Sequence, residues 1–185
     1  MTEEVKILGI AGSLRKASYN KGALKAAQQL CPAGAKIEIF DLEGIPVFNQ
    51  DQDRTPPQRV VEFKQQIRAA DAILIATPEY NFSIPGPLKN AIDWASRPYG
   101  DNAWIGKPVA IMGASTGVVG TSRAQHHLRQ CFVFLNMEAV NQPQVLIGNA
   151  TQRFDQEGNL TDQDSKKLIA QLLENLLKKT LAMKR

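Results

Sequence analysis

Val5-Lys6-Ile7-Leu8-Gly9-Ile10-Ala11-Gly12-Ser13-Leu14-Arg15-Lys16-Ala17-Ser18-Tyr19-Asn20 is the stretch whose reading decides the fold. Val5–Gly12 is short, almost wholly apolar and closed by glycine, as expected of a strand buried on both faces. A loop with two serines and an arginine follows, and a helical pattern begins at once with Tyr19. Small residues let backbone approach an anion, hydroxyl and N–H groups donate to it, and a helix N-terminus faces it with partial positive charge. Arg15 adds a bidentate, charge-assisted donor. The loop therefore suits a terminal phosphate. It has neither the Gly-x-Gly-x-x-Gly of dinucleotide folds nor the Gly-Lys-Ser/Thr ending of nucleotide triphosphatases.

The same alternation of strand and helix continues along the chain. Tyr19, Ala23, Ala26, Ala27 and Leu30 form one helical stripe ended by Pro32, and Lys36–Leu42 alternates with period two as a half-exposed edge strand. Thr55-Pro56-Pro57-Gln58 reads as a helix start with Thr55 as N-cap. In that helix Lys64 faces inward, its stem packing while its ammonium escapes to water. Asp71–Thr77 and Lys107–Ser115 are two further short apolar strands. Pro85–Ser96 is a helix capped by Ser83, and another helix runs from Gly120 to about Leu135. A fifth strand lies in Glu138–Ile147, interrupted near Pro143, and residues 148–159 are a polar connection. Thr161-Asp162-Gln163-Asp164 opens a last amphipathic helix carrying Leu168, Ile169, Leu172, Leu173, Leu176 and Leu177.

Five short strands separated by helices predict an α/β, three-layer, doubly wound parallel sheet in the order 2-1-3-4-5. At 185 residues and 43% hydrophobic, the chain suffices for one domain spanning 1–185. A net charge of +4, with basic residues gathered at Lys178-Lys179 and Lys184-Arg185, reads as a solvated helix end; nucleic-acid binding would need a basic face interleaved with aromatics. Cys31 and Cys131 lack ligand spacing, so they are expected as buried thiols in helices and no metal is expected. The acidic start Met1-Thr2-Glu3-Glu4 is unlike a signal peptide, and no apolar run reaches the ~20 residues that span a bilayer. A cytoplasmic enzyme is the resulting expectation.

Ligands of such sheets lie beyond the carboxyl ends of the strands, beside the switch point. Three loops meet there: 11–20, 77–86 and 113–120. In the second, Thr77-Pro78-Glu79-Tyr80-Asn81-Phe82-Ser83-Ile84-Pro85-Gly86-Pro87, the prolines stiffen the backbone, Tyr80 and Phe82 suit a flat ring, and Asn81 offers an amide to its edge. No capping or core role demands Glu79-Tyr80-Asn81. In the third, Ser115 and Thr116 supply hydroxyls while Gly117 permits close approach. A phosphate loop beside a ring loop describes a mononucleotide with a large ring, and flavin mononucleotide (FMN) fits better than a purine nucleotide.

These residues also carry a resemblance. Gly12-Ser13-Leu14-Arg15 with Ser18 and Asn20, and Pro78-Glu79-Tyr80-Asn81 with Ser83 through Trp94, resemble the NADPH-dependent FMN reductase family, nearest its bacterial quinone and chromate reductase branch. Gly113-Ala114-Ser115 and Arg123-Ala124-Gln125 with Leu128-Arg129 extend the likeness over residues 5–147. The resemblance implies a flavodoxin-like fold with bound FMN. Ser13, Arg15, Ser18 and Asn20 would hold its phosphate, Pro78, Glu79, Tyr80 and Asn81 its ring and ribityl chain, and Ser115 the other side. It also implies homodimers or homotetramers, with Asp93–Arg97 and Arg123–Arg129 in the contacts. NAD(P)H would reduce the flavin, which would then reduce a quinone, or chromate, azo or nitro compounds; no side chain need be catalytic, because the chemistry is the cofactor's. His126-His127 are weak grounds for acid–base or metal chemistry, since helix neighbours point apart, and Asp93 and Trp94 read as packing. The competing readings are a reductase supplying free reduced flavin, a flavodoxin-type electron carrier, against which the basic charge argues, and a nucleotide sensor.

Overall fold

The computed structural model describes residues 4–184; Met1, Thr2 and Glu3 of the acidic start and Arg185 of the basic end lie outside the described residues. Strands β1 (Val5–Ala11), β2 (Ala35–Phe40), β3 (Ala72–Ala76), β4 (Pro108–Ala114), β5 (Glu138–Ala139) and β6 (Val145–Ile147) form one sheet in the order β2-β1-β3-β4-β5, with β6 also on β4. Every pairing is parallel. The expected doubly wound order is present, and the interruption near Pro143 divides the fifth strand in two: β5 follows Pro108–Val109 and β6 follows Met112–Ala114.

Side-chain alternation in the central strands builds two cores. Val5, Ile7, Leu74, Ala110 and Met112 face α1 (Tyr19–Gln29) and α6 (Gln163–Met183), meeting Leu24, Ile169, Leu172 and Leu176. Leu8, Ile10, Ile73, Ile75 and Ile111 face the other layer, α2 (Gln58–Ala69), α3 (Gly86–Ala95) and α4 (Ser122–Leu135), meeting Phe63, Ile67, Leu88 and Leu128. This is the burial on both faces that parallel sheets require. Trp94 packs as expected, its ring edge-on to Phe48 at 5.0 Å and its indole N–H donating to Pro46 O at 2.8 Å. Among the described residues no helix is long and apolar enough to cross a membrane.

Several local expectations are corrected. The α2 helix begins only at Gln58, with Pro57 at the cap position and no side-chain cap from Thr55. Pro57 holds the residue before it extended, so the helix cannot start earlier. Ser83 does not cap α3; Pro85 occupies that position, and the Ser83 hydroxyl meets His127 Nδ1 at 2.9 Å. The ammonium of Lys64 does not escape: it donates to Arg97 O and, at 2.6 Å, to Asp101 Oδ2. That bond from Lys64 holds the Asp101 carboxyl below the usual carboxylate range. Cys31 falls just past α1 and Cys131 within α4, both only half-buried, and burial raises both thiols above their ordinary value. The connection at 148–159 contains a one-turn helix, α5 (Ala150–Arg153).

Candidate functional site

The three expected loops leave the carboxyl ends of β1, β3 and β4 side by side. Each starts by continuing the ladder for one residue. Gly12 N–H donates to Ala76 O at 2.8 Å, Thr77 N–H to Met112 O at 3.0 Å, and Ser115 N–H to Ile147 O at 3.0 Å. Gly113, in the end of β4 where the third loop is expected to begin, has no room for a side chain: a Cβ there would stand 2.0 Å from Thr121 Oγ1 and 2.4 Å from Thr77 O.

In the first loop Ser18 is the N-cap of α1, its Oγ accepting from Asn20 N–H at 3.2 Å and Lys21 N–H at 3.5 Å. Its hydroxyl hydrogen is left for another acceptor. Ser13 Oγ accepts from Arg15 N–H at 3.3 Å. Among the described residues, the backbone N–H groups of Ser13, Leu14, Lys16 and Ala17 have no protein acceptor. Arg15 is exposed, its guanidinium 5.5 Å from the Tyr19 ring centroid, and it forms no ion pair among the described residues. A concave set of unpaired donors at a helix N-terminus is an anion cradle.

Asn20 lines the first cleft while its amide is engaged within the protein. It is 3% exposed, and its amide bonds twice to one residue of β4: Nδ2 donates to Ala114 O at 2.9 Å and Oδ1 accepts from Ala114 N–H at 2.9 Å. The β3–β4 pairing ends at Ala76 and Met112, and the Asn20 amide satisfies the strand just past that end. The side chain thus joins the first loop to the third.

The second loop holds a tight turn at its tip. Tyr80 and Ser83 exchange both backbone hydrogen bonds, at 3.1 and 2.9 Å, around Asn81 (φ 51°) and Phe82 (φ 62°). Two central residues with positive φ make this a type I′ turn. Asparagine tolerates that conformation; for phenylalanine it costs of order 1–3 kcal/mol and persists only where surroundings impose it. Phe82 is 65% exposed and Tyr80 53%, so neither is held by the core. Glu79 proves to have a capping role after all. Its carboxylate accepts from Ala124 N–H at 3.0 Å in the first turn of α4, whose own N-cap, Thr121, makes no side-chain cap bond. In the third loop Ser115 Oγ donates to Gly120 O at 2.6 Å, and Gly117 O accepts from Asn149 N–H at 3.2 Å.

Two adjoining clefts run between these loops. The first, about 140 Å³, is bounded by Ser13, Arg15 and Ser18 at one end and by Pro78, Tyr80 and Ser115 at the other. The second, about 420 Å³, continues past Glu79, Ser115 and Thr116 to Asn81, Phe82, Gly117, Val119 and Arg123. The donor-rich end leads into a wider end where Phe82 and Val119 stand beside Asn81 and Arg123, and the two together form an elongated site. All ten residues singled out from the sequence line one cleft or the other. Sequence reasoning missed Tyr19, Val119 and the place of Arg123, which lies with its guanidinium 4.0 Å from the Phe82 ring centroid. Only the proximity of residue 123 to the third loop could have signalled it.

Comparison with known proteins agrees with this geometry. The sequence profile described as NADPH-dependent FMN reductase matches residues 5–152. An NAD(P)H-dependent FMN reductase of Pseudomonas aeruginosa is 52% identical over 177 residues, covering 95% of each chain. A 2-hydroxy-1,4-benzoquinone reductase of a Burkholderia species is 44% identical, covering 92% of this chain and 93% of that one. Among solved structures, FerB of Paracoccus denitrificans, a flavoenzyme NAD(P)H:(acceptor) oxidoreductase, superposes with a TM-score of 0.88 at 33% identity, covering 97% of this chain and 98% of its own.

Proposed function

The chain belongs to the NADPH-dependent FMN reductase family, and from that premise we propose that it is an FMN-dependent NAD(P)H oxidoreductase whose principal acceptors are quinones. The observation that carries the reading is the donor-rich cradle at Ser13–Ser18, which shares its cleft with Tyr80 and opens into a second cleft lined by Phe82 and Val119. The residues present fit FMN: unpaired amides and Arg15 suit its phosphate, and exposed aromatic and aliphatic side chains suit its ring.

Bound FMN supplies the chemistry, taking hydride from NAD(P)H and passing it to the acceptor. The protein's contributions are anchoring and orientation. Ser13, Arg15, Ser18 and the loop amides between them hold the phosphate. Asn20 keeps that loop at a set distance from Ser115 through Ala114. Pro78, Glu79, Tyr80 and Asn81 line one side of the ring and ribityl chain, largely through backbone groups, while Ser115 and Gly117 line the other. Phe82 and Val119 exclude water from the ring's edge yet leave the mouth open, which accords with small flat acceptors. Azo, nitro and chromate acceptors are included in the proposal because an open mouth does little to discriminate among them. A cytoplasmic homodimer or homotetramer built from the single 1–185 domain completes it.

Steady-state kinetics with NADPH and a benzoquinone test the reading. Parallel double-reciprocal lines are expected, with flavin still bound after gel filtration of the reacted enzyme. Intersecting lines with flavin released at each turnover would instead identify a supplier of free reduced FMN.

A further inference from the structure

The turn at Asn81–Phe82 walls the second cleft, yet nothing in its own loop beyond the two Tyr80–Ser83 backbone bonds holds it. Its attachments go to α4 instead. Glu79 Oε2 accepts from Ala124 N–H at 3.0 Å, and Glu79 Oε1 lies 3.5 Å from Arg123 Nη1. Arg123 in turn covers Phe82, 4.0 Å from guanidinium carbon to ring centroid, and Ser83 Oγ meets His127 Nδ1 at 2.9 Å. Of these side chains Glu79 is the one within the structure: it is 11% exposed, against 49% for Arg123. Its carboxylate therefore holds a defined geometry, whereas Arg123 is free to move if its partner is lost. The cleft lies between this turn and the loop 115–120 that leads into α4. A bond from the turn's base to the first turn of α4 consequently sets the distance between the cleft's two walls.

We propose that Glu79 is a positioning residue, which clamps the left-handed Asn81–Phe82 turn to the N-terminus of α4 and so sets the width of the ring cleft. The inference rests on the flavin reading of that cleft. An anionic acceptor at a helix N-terminus is favourable in itself, and here it has a second effect because the acceptor comes from the opposite wall. The clamp acts on the ring and not on the phosphate, which is held in the first cleft by α1 and its loop.

That separation defines the experiment. Flavin-free protein is titrated with FMN and with riboflavin, which lacks the phosphate, following quenching of flavin fluorescence; melting by circular dichroism verifies that each variant is folded. Glu79→Ala is expected to weaken both flavins by the same factor, tenfold or more. Glu79→Gln keeps an oxygen for Ala124 N–H and is expected to stay within threefold of the unaltered protein. Should Glu79→Ala not fold, Arg123→Ala carries the test, with at least a threefold loss expected for both flavins. Unaltered binding of both flavins by the alanine variant would overturn the inference. So would a loss confined to FMN, or a glutamine variant as weak as the alanine one. Failure of the unaltered protein to bind FMN would overturn the flavin reading itself, a result distinguishable from indifference of the variants.

Discussion

Replacing Arg15 by alanine is expected to weaken FMN binding by roughly 10- to 150-fold, the equivalent of one hydrogen-bonded charged contact worth about 1.5–3 kcal/mol. Arg15 stands at the mouth of the donor-rich cleft with its guanidinium free of carboxylates among the described residues. A planar fork of N–H donors matches two phosphate oxygens at once, and lysine cannot reproduce that geometry, so Arg15→Lys should recover only part of the loss. Because Arg15 is exposed and its one described side-chain contact is the distant Tyr19 ring, the flavin-free protein should keep its stability within about 0.5 kcal/mol. The purified variant should be pale, and added FMN should restore part of its turnover. Isothermal titration with FMN and riboflavin provides the check: riboflavin affinity should scarcely change. Equal FMN affinity in variant and parent would remove the phosphate from this loop.

Asn20→Ala should act through stability instead. The substitution strips two bonds of 2.9 Å from Ala114 and leaves its N–H and C=O buried beyond the end of the β3–β4 ladder. At about 1–3 kcal/mol for each unsatisfied group, the loss is about 2–6 kcal/mol, moderated where water can enter. For a chain of this size, at about 2–4 °C per kcal/mol, that lowers the melting temperature by roughly 4–24 °C. Asn20→Asp should be no better, because it keeps the acceptor, loses the donor and places a carboxylate in a buried position. Differential scanning of flavin-free protein measures this directly. A parent-like melting temperature combined with a selective loss of FMN affinity would return Asn20 to the phosphate.

The contrast between these two residues shows how far the sequence could be read. Strand order followed from short apolar runs, since a strand buried on both faces cannot be written with polar residues, and the switch point then located all three loops. Ser18 was singled out for the phosphate, and its cap on Asn20 and Lys21 N–H came only with the fold. The bonds from Asn20 to Ala114 were equally hidden, because their partner is 94 residues away and an amide suits a phosphate as well as a peptide. The capping role of Glu79 was hidden for the same reason: its bond reaches a helix 45 residues further on. Ser83 and Thr55 were misread where prolines intervened, since a proline at the cap position displaces the nearby hydroxyl residue from that role. Lys64 was judged by its long stem alone, and only the folded chain brings Asp101 and Arg97 O within reach of its ammonium. Nothing local foretold a left-handed Phe82; it takes that conformation in a turn that Glu79 and Arg123 attach to α4.

The central claim, that the paired clefts hold FMN for exchange between NAD(P)H and a quinone, is tested most directly by the visible spectrum of the purified protein under nitrogen. The oxidised flavin bands should be present at the outset, bleach on addition of NADPH and return in full when a benzoquinone is added. A protein that carries flavin but stays oxidised with both NADPH and NADH would be an electron carrier and not a reductase, and one that neither carries nor binds FMN would contradict the account at its base.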